Sequence, residues 1–167
     1  RWKSTVNKQV ILERAGSVKT STTERLVAGR ALLDMGQLSE LRQLSESDSD
    51  PVVRVSATAA LAEVHPSAAA KTAVSLLSKL TKGSDAEAVF ISYFSRKDGP
   101  PSLVKALSGM ILEADVAATG IRIAEATGLD LTDAITALTR AGSLQAGTVD
   151  LSKEDRRFRR VLSHLEI

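Results

Sequence analysis

Apolar residues along most of the chain recur every three or four positions, which is the spacing of one face of an α-helix. The clearest example is the stretch DPVVRVSATAALAEV, in which one face carries Val53, Ala57, Ala60, Leu61 and Val64. Strand-like alternation of apolar and polar residues is not convincing anywhere in the sequence. The pattern therefore predicts an all-α chain of about nine short helices, each of about 10–15 residues, joined by brief links.

Helix start and stop signals divide this pattern into segments. Asp50 is a good N-cap, and Pro51 suits the first helical position because its missing N–H is not needed there. Capping boxes are predicted at two further helix starts, Ser21 to Glu24 and Ser84 to Glu87. Glycines are predicted to end four helices: Gly36, Gly83, Gly128 and Gly142.

The helices are too short to bury their apolar faces singly, and stacking them in pairs solves that problem. Asp50, Asp85 and Asp115 each lie near a helix start and follow one another at roughly the 30–45 residues expected of helix-pair repeats. We therefore expect residues 1–167 to form a single domain, a right-handed solenoid of roughly four helix pairs with a less regular C-terminal helix.

The stretch DPVVRVSATAAL resembles the second helix of a HEAT repeat, whose usual form is Asp-Pro-x-Val-Arg-x-x-Ala-x-x-Ala-Leu. The matching residues are Asp50, Pro51, Val53, Arg54, Ala57, Ala60 and Leu61. The resemblance implies an α-α superhelix of the HEAT or armadillo type, and it implies that Asp50 and Arg54 take part in a ladder between neighbouring repeats. The stretches DAEAVFISYF and DVAATGIRIAEA keep the leading Asp but lack the Arg, so the ladder is expected in one repeat only.

A second stretch, ILEADVAATGIRIAEATGLDLTDAITALTRAG, looks like the repeat region of large secreted proteins of planctomycete-type bacteria. In those proteins a sorbosone-dehydrogenase-like β-propeller precedes the helical repeats and a c-type haem domain commonly follows. The resemblance implies a segment of a secreted or periplasmic, haem-bearing dehydrogenase. The chain begins without Met and carries none of the functional residues of the propeller or the haem domain, so we expect a fragment of a larger protein that holds no cofactor itself.

The composition narrows the class of protein further. Hydrophobic residues make up 43% and charged residues 25% of the chain, which is typical of a folded protein, whereas aromatic residues make up only 3%. The absence of cysteine excludes disulfides and thiolate metal sites. The net charge of +2 is only weak evidence for a polyanionic partner, and no apolar run reaches the roughly 18 residues needed to span a bilayer.

Candidate catalytic and metal-binding groups are sparse. The two histidines, His65 and His164, are far apart in the chain and lack the spacing of metal ligands. There is no Gly-x-Ser-x-Gly elbow, no Walker loop and no Gly-x-Gly-x-x-Gly motif. We expect neither a metal site nor an enzymatic activity within this segment.

Two acidic pairs are candidates for acid–base catalysis, which paired carboxylates can perform. They are Glu113 with Asp115 and Asp130 with Asp133. Both pairs lie at predicted helix starts, where negative charge is stabilised by the helix dipole. Helix capping explains them better than catalysis does.

Phe90, Tyr93 and Phe94 hold most of the aromatic content. Their helical spacing favours a core cluster between two repeats. The alternative is a docking patch for a protein partner, since aromatic residues concentrate at binding hot spots.

The basic run RRFRR is the main electrostatic feature of the sequence. It lies in a predicted C-terminal helix that starts after Ser152 and carries an apolar stripe of Phe158, Val161, Leu162 and Leu165. Its cations are Arg156, Arg157, Arg159 and Arg160. Their distribution around the stripe is typical of a solvated amphipathic helix, and contact with phosphates is the alternative.

The sequence as a whole predicts a non-catalytic module that acts as a spacer or a protein-docking scaffold, with a neighbouring domain or a protein as its partner. A nucleic-acid-binding helical repeat that uses the four arginines is the alternative. The docking hypothesis requires an apolar or charged groove on the folded surface.

Overall fold

The structure, a computed structural model, describes residues 5–47 and 50–144. In these ranges the chain forms helices and no strand. The helices are α1 (Thr5–Gly16), α2 (Thr22–Asp34), α3 (Leu38–Ser47), α4 (Pro51–Val64), α5 (Pro66–Leu77), α6 (Gly83–Phe94), α7 (Gly99–Leu107), α8 (Ala114–Ala126) and α9 (Thr132–Ala141). The prediction of an all-α chain of short helices is confirmed for this part of the sequence.

The helices pack in two rows. In the first row α2, α4, α6 and α8 lie side by side in that order, and in the second row α5, α7 and α9 do the same. Helix α3 packs mainly on α4, and α1 packs mainly on α2. The chain therefore crosses from one row to the other at nearly every link.

The helices of the first row run parallel to one another. Arg25, the fourth residue of α2, contacts Ser56, the sixth residue of α4. Gly83 at the start of α6 likewise contacts Asp115 at the start of α8. The four helices begin at residues 22, 51, 83 and 114, so successive starts are 29, 32 and 31 residues apart. The N-termini of the row consequently lie at one edge of the molecule.

Several predicted helix starts are confirmed. The Ser21 hydroxyl accepts a hydrogen bond from the Glu24 amide while the Glu24 carboxylate accepts one from the Ser21 amide, which is the capping box expected at α2. These hydrogen bonds lower the pKa of Glu24. At α4 the Asp50 carboxylate accepts from the Val52 amide at 2.8 Å, and Pro51 occupies the first turn.

The predicted boundary near Gly83 is wrong. Gly83 does not end the helix before it but begins α6, so Ser84 lies within the first turn and makes no capping box with Glu87. The Gly83 amide donates instead to Asp115 Oδ2 of α8 at 2.6 Å. A carboxylate from the neighbouring helix thus replaces the local cap, which a sequence-local rule cannot detect.

Helix α4 is the centre of the fold. It contacts α2, α3, α5 and α6, and its residues from Val55 to Ala62 are all buried. An element that is apolar on every side must be enclosed by others. Small side chains let those neighbours approach closely: a methyl group added at Gly29 of α2 would lie 2.8 Å from the Ala60 methyl of α4. Gly29 therefore permits a close crossing of α2 and α4.

One polar group in this central helix has no partner in the described part of the structure. Thr58 is fully buried and its hydroxyl makes no hydrogen bond there. A buried hydroxyl without a partner destabilises the folded state. We expect Thr58→Val, which keeps the shape and removes the hydroxyl, to raise the free energy of unfolding by about 1 kcal/mol in urea titrations. Thr58→Ser would give no such increase, and a large loss of stability in Thr58→Val would contradict the assignment.

Helix α1 is held to α3 by an ion pair between Lys8 Nζ and Glu40 Oε1 at 2.5 Å. The hydrogen bond from Lys8, with a second one from Ser39, lowers the pKa of Glu40 to about 2 from its ordinary 4.5. Because the folded pKa is lowered, the pair stabilises the fold above about pH 4.5, and this contribution is lost as the pH falls toward 2.

We therefore expect the Glu40 carboxyl to titrate near pH 2 by NMR, and to titrate closer to 4.5 in Lys8→Met. Lys19→Met, which removes an exposed lysine from the link after α1, serves as the control and should leave Glu40 unchanged. An unperturbed Glu40 in the parent protein would contradict this expectation.

Candidate functional site

A groove of about 460 Å³ crosses the face of the first row. Its walls come from α2, α4, α6 and the link before α6, and none of its residues belongs to α3, α5, α7 or α9. The groove therefore opens on the side of the first row that faces away from the second row. This is the kind of surface that the docking hypothesis requires.

The floor of the groove is apolar. It is lined by Leu26 of α2, Val52 and Val55 of α4, and Ala88 and Ile91 of α6. Val52 is 47% exposed and Ile91 is 51% exposed, and their neighbourhood in one groove makes a contiguous apolar surface rather than scattered exposed residues. Ile91 projects outward because its neighbour Phe90 takes the core position on α6.

Charged groups line the rim, and negative charge is in excess. The carboxylates are Glu63, Asp85 and Glu87, and the only cation among the lining residues is Arg30. Arg30 donates two hydrogen bonds to the Glu63 carboxylate, which raises the pKa of the arginine and joins α2 to α4. The Glu87 carboxylate accepts from Arg122 Nη2 of α8 at 2.9 Å.

A buried arginine fixes the geometry at the N-terminal edge of the groove. Arg25 is 3% exposed and donates from Nε to the Ser56 hydroxyl and from Nη2 to the Thr22 hydroxyl, both at 3.1 Å. Its Nη1 donates to the carbonyls of Ser17 and Thr20 in the link before α2. Thr22 and Ser56 both line the groove, so this network sets the position of α2 relative to α4.

A second cleft, of about 440 Å³, lies between α7 and α9. It brings Lys97 and Lys105 near Asp130 and Asp133. Asp130 Oδ1 accepts hydrogen bonds from the Thr132 amide and hydroxyl, which lower its pKa. The N-cap residue of α9 is Leu131 and not Asp130, so the Asp130 carboxylate contacts the start of the helix from the preceding position. The two clefts lie on different rows.

The predicted aromatic cluster lies in the core. Phe90, Tyr93 and Phe94 are at most 1% exposed, and the rings of Phe90 and Phe94 stack with their centroids 5.9 Å apart. Tyr93 donates from its hydroxyl to the Pro66 carbonyl at 3.0 Å, and burial raises the pKa of the phenol. The three rings contact helices of their own chain and present no surface to a partner.

The other predicted site residues fall in different places. Arg54 Nε donates to the Ser45 carbonyl at 3.3 Å, which joins α4 to α3 within one helix pair. His65 is exposed at the junction of α4 and α5, and His164 lies outside the described residues. The arginines of the basic run, Arg156, Arg157, Arg159 and Arg160, also lie outside them.

The described residues contain neither a metal-binding cluster nor a membrane-spanning helix. No group of three or more His, Cys, Asp or Glu side chains in residues 5–47 and 50–144 could hold a metal ion. Over the same ranges no helix has the length and apolar character needed to cross a bilayer.

The residues that build the groove were not predicted as a site. Val52 and Ile91 lie beside the apolar stripes that identified their helices, and this off-stripe position was the available signal. An aliphatic residue outside the core stripe is common on protein surfaces, so the signal alone is weak. The groove arises only because three such helix faces meet.

Comparisons with models of protein families, with curated proteins and with solved structures find no match to this chain. The HEAT-like resemblance of α4 therefore remains a prediction from the sequence.

Proposed function

We propose that this chain is a non-catalytic helical-repeat scaffold of the HEAT or armadillo type, and that the groove across α2, α4 and α6 docks a segment of a protein partner. The two rows of helices and the 29- to 32-residue spacing of the first row support the repeat architecture. The groove carries the functional part of the proposal, because it is a concave apolar surface built on regular helices.

The lining of the groove indicates the chemistry of the partner. Apolar side chains would pack on Val52 and Ile91, and cations would face the rim, where three carboxylates stand against Arg30 and Arg122. An amphipathic helix with an apolar face flanked by Lys or Arg meets both requirements.

A matched pair of synthetic helical peptides tests this role. Both carry the same leucine stripe, and their polar faces carry either arginine or glutamate. We expect the arginine peptide to bind the full chain in fluorescence anisotropy, and Ile91→Lys to weaken its affinity at least about tenfold, because the change removes an apolar contact and adds repulsion.

The control is Val10→Lys on α1, where the replaced side chain is 45% exposed but lies outside the groove. It should bind the arginine peptide as the parent does. Equal losses in the two variants, equal binding of the two peptides, or no binding of either would overturn the docking role.

We also propose that the scaffold belongs to a larger, secreted multidomain protein, and this proposal rests on the sequence resemblance alone. The alternative, nucleic-acid binding, depends on arginines outside the described residues, and the acidic rim of the groove gives it no support.

A further inference from the structure

Three aspartates near helix starts follow one another at roughly the spacing of the repeats, and two of them bind a helix N-terminus. Asp50 accepts a hydrogen bond from the Val52 amide in α4, and Asp115 accepts one from the Gly83 amide at the start of α6. Asp85 lies in the first turn of α6, whose N-cap residue makes no side-chain cap. Because Asp115 already binds this helix start, the carboxylate of Asp85 is left for another role.

The three carboxylates on the rim of the groove differ in their cationic partners. Glu63 binds Arg30 through both of its oxygens, and Glu87 accepts from Arg122 at 2.9 Å. Asp85 forms no ion pair in the described part of the chain. A cation from a partner can therefore pair with Asp85 without displacing an arginine of the fold.

Asp85 lies beside the apolar floor of the groove. Asp85, Ala88 and Ile91 all line the groove from α6. Because Ile91 follows Asp85 by six residues, the two lie about 9 Å apart along the helix axis. Asp85 is exposed, and the hydrogen bond that it accepts from the Ser84 hydroxyl is long, at 3.4 Å. The groove thus presents a negative charge at a fixed distance from an apolar contact.

We propose that Asp85 determines which partners the groove accepts, by pairing with an arginine or lysine of the docked segment while a large apolar residue of that segment packs on Ile91. Side chains seven positions apart in a helix share a face and lie about 10 Å apart, so a basic and an apolar residue at that spacing meet both positions. This inference rests on the proposed docking role of the groove and names the contact that gives it specificity.

Neutralising the charge is the first test, and the chain offers a matched control. Asp133 is also exposed and lies in the first turn of α9, but it lines the second cleft and not the groove. Asp85→Asn and Asp133→Asn both remove one negative charge from a helix start. We expect Asp85→Asn to weaken binding of the arginine peptide to the full chain about threefold, the effect of one exposed ion pair, and Asp133→Asn to leave it unchanged.

Reversing the charge gives a result that a loss of structure would not give. Asp85→Lys should weaken the arginine peptide at least about tenfold and raise the affinity for the glutamate peptide, because the apolar floor is kept and a cation now stands beside it. Asp133→Lys should do neither. Equal losses in Asp85→Asn and Asp133→Asn, or no gain for the glutamate peptide in Asp85→Lys, would overturn the proposal.

Ile91→Lys separates this inference from the docking role. If Ile91→Lys weakens binding of the arginine peptide while both Asp85 variants bind it as the parent does, the groove docks partners but does not select them through Asp85. If none of the three variants changes peptide binding, both proposals are wrong.

Discussion

Phe90→Ala is expected to lower the free energy of unfolding by about 3–5 kcal/mol. The ring is fully buried in α6, stacks on Phe94, and lies against Gly120 of α8. Truncation removes the transfer free energy of the ring and leaves a cavity that rigid helices fill poorly. Since domains of this size are stable by about 5–15 kcal/mol, the change removes a large share of the total. Urea unfolding followed by circular dichroism measures it.

The neighbouring residue supplies the control. Ile91→Ala truncates a large side chain on the same helix, but that side chain is half exposed and lines the groove. We expect it to cost less than about 1 kcal/mol, because most of the removed surface already contacts water. Similar losses at the two positions would mean that Phe90 is not a core residue.

Gly120→Val is expected to lower the free energy of unfolding by about 2–3 kcal/mol. Even one methyl group at Gly120 would lie 2.8 Å from the Phe90 ring and 2.9 Å from a Leu138 methyl group, so α8 could no longer approach α6 and α9 as it does. This effect exceeds the gain of at most about 1 kcal/mol from replacing a helical glycine. Thermal and urea unfolding both report it.

Two comparisons decide whether crowding is the cause. Ala118→Val, at an exposed position two residues earlier on α8, changes helix propensity without crowding and should cost about 0.5 kcal/mol. In a Phe90→Leu background the cost of Gly120→Val should shrink, because the ring that the new side chain meets is gone. Additive losses in this double-mutant cycle would contradict the crowding explanation.

Local signals predicted much of the fold. The cap at Ser21 and the pair Asp50–Pro51 start their helices as expected, because each acts on the backbone within three residues. The start at Gly83 was mispredicted because its partner, Asp115, comes from another helix. Propensity and local capping cannot report a hydrogen bond between residues that far apart in sequence.

The candidate site was harder to predict than the fold. The aromatic residues Phe90, Tyr93 and Phe94 attract attention in the sequence, yet the structure places them in the core. Val52 and Ile91 are ordinary aliphatic residues, and their meeting depends on how α2, α4 and α6 lie beside one another. That arrangement depends on close contacts between helices, such as that of Gly29 with the Ala60 methyl group. The periodicity of apolar residues does not predict such contacts.

The part of the groove floor that belongs to α4 has a thermodynamic consequence for recognition. It consists of Val52 and Val55, whose β-branched side chains have restricted rotamers, and α4 contacts four other helices along its length, so this part of the floor loses little conformational freedom when the groove is occupied. Most of the entropy lost on binding then falls on the incoming segment. Sequences that already favour a helix in isolation would therefore be selected over flexible ones with the same contacts.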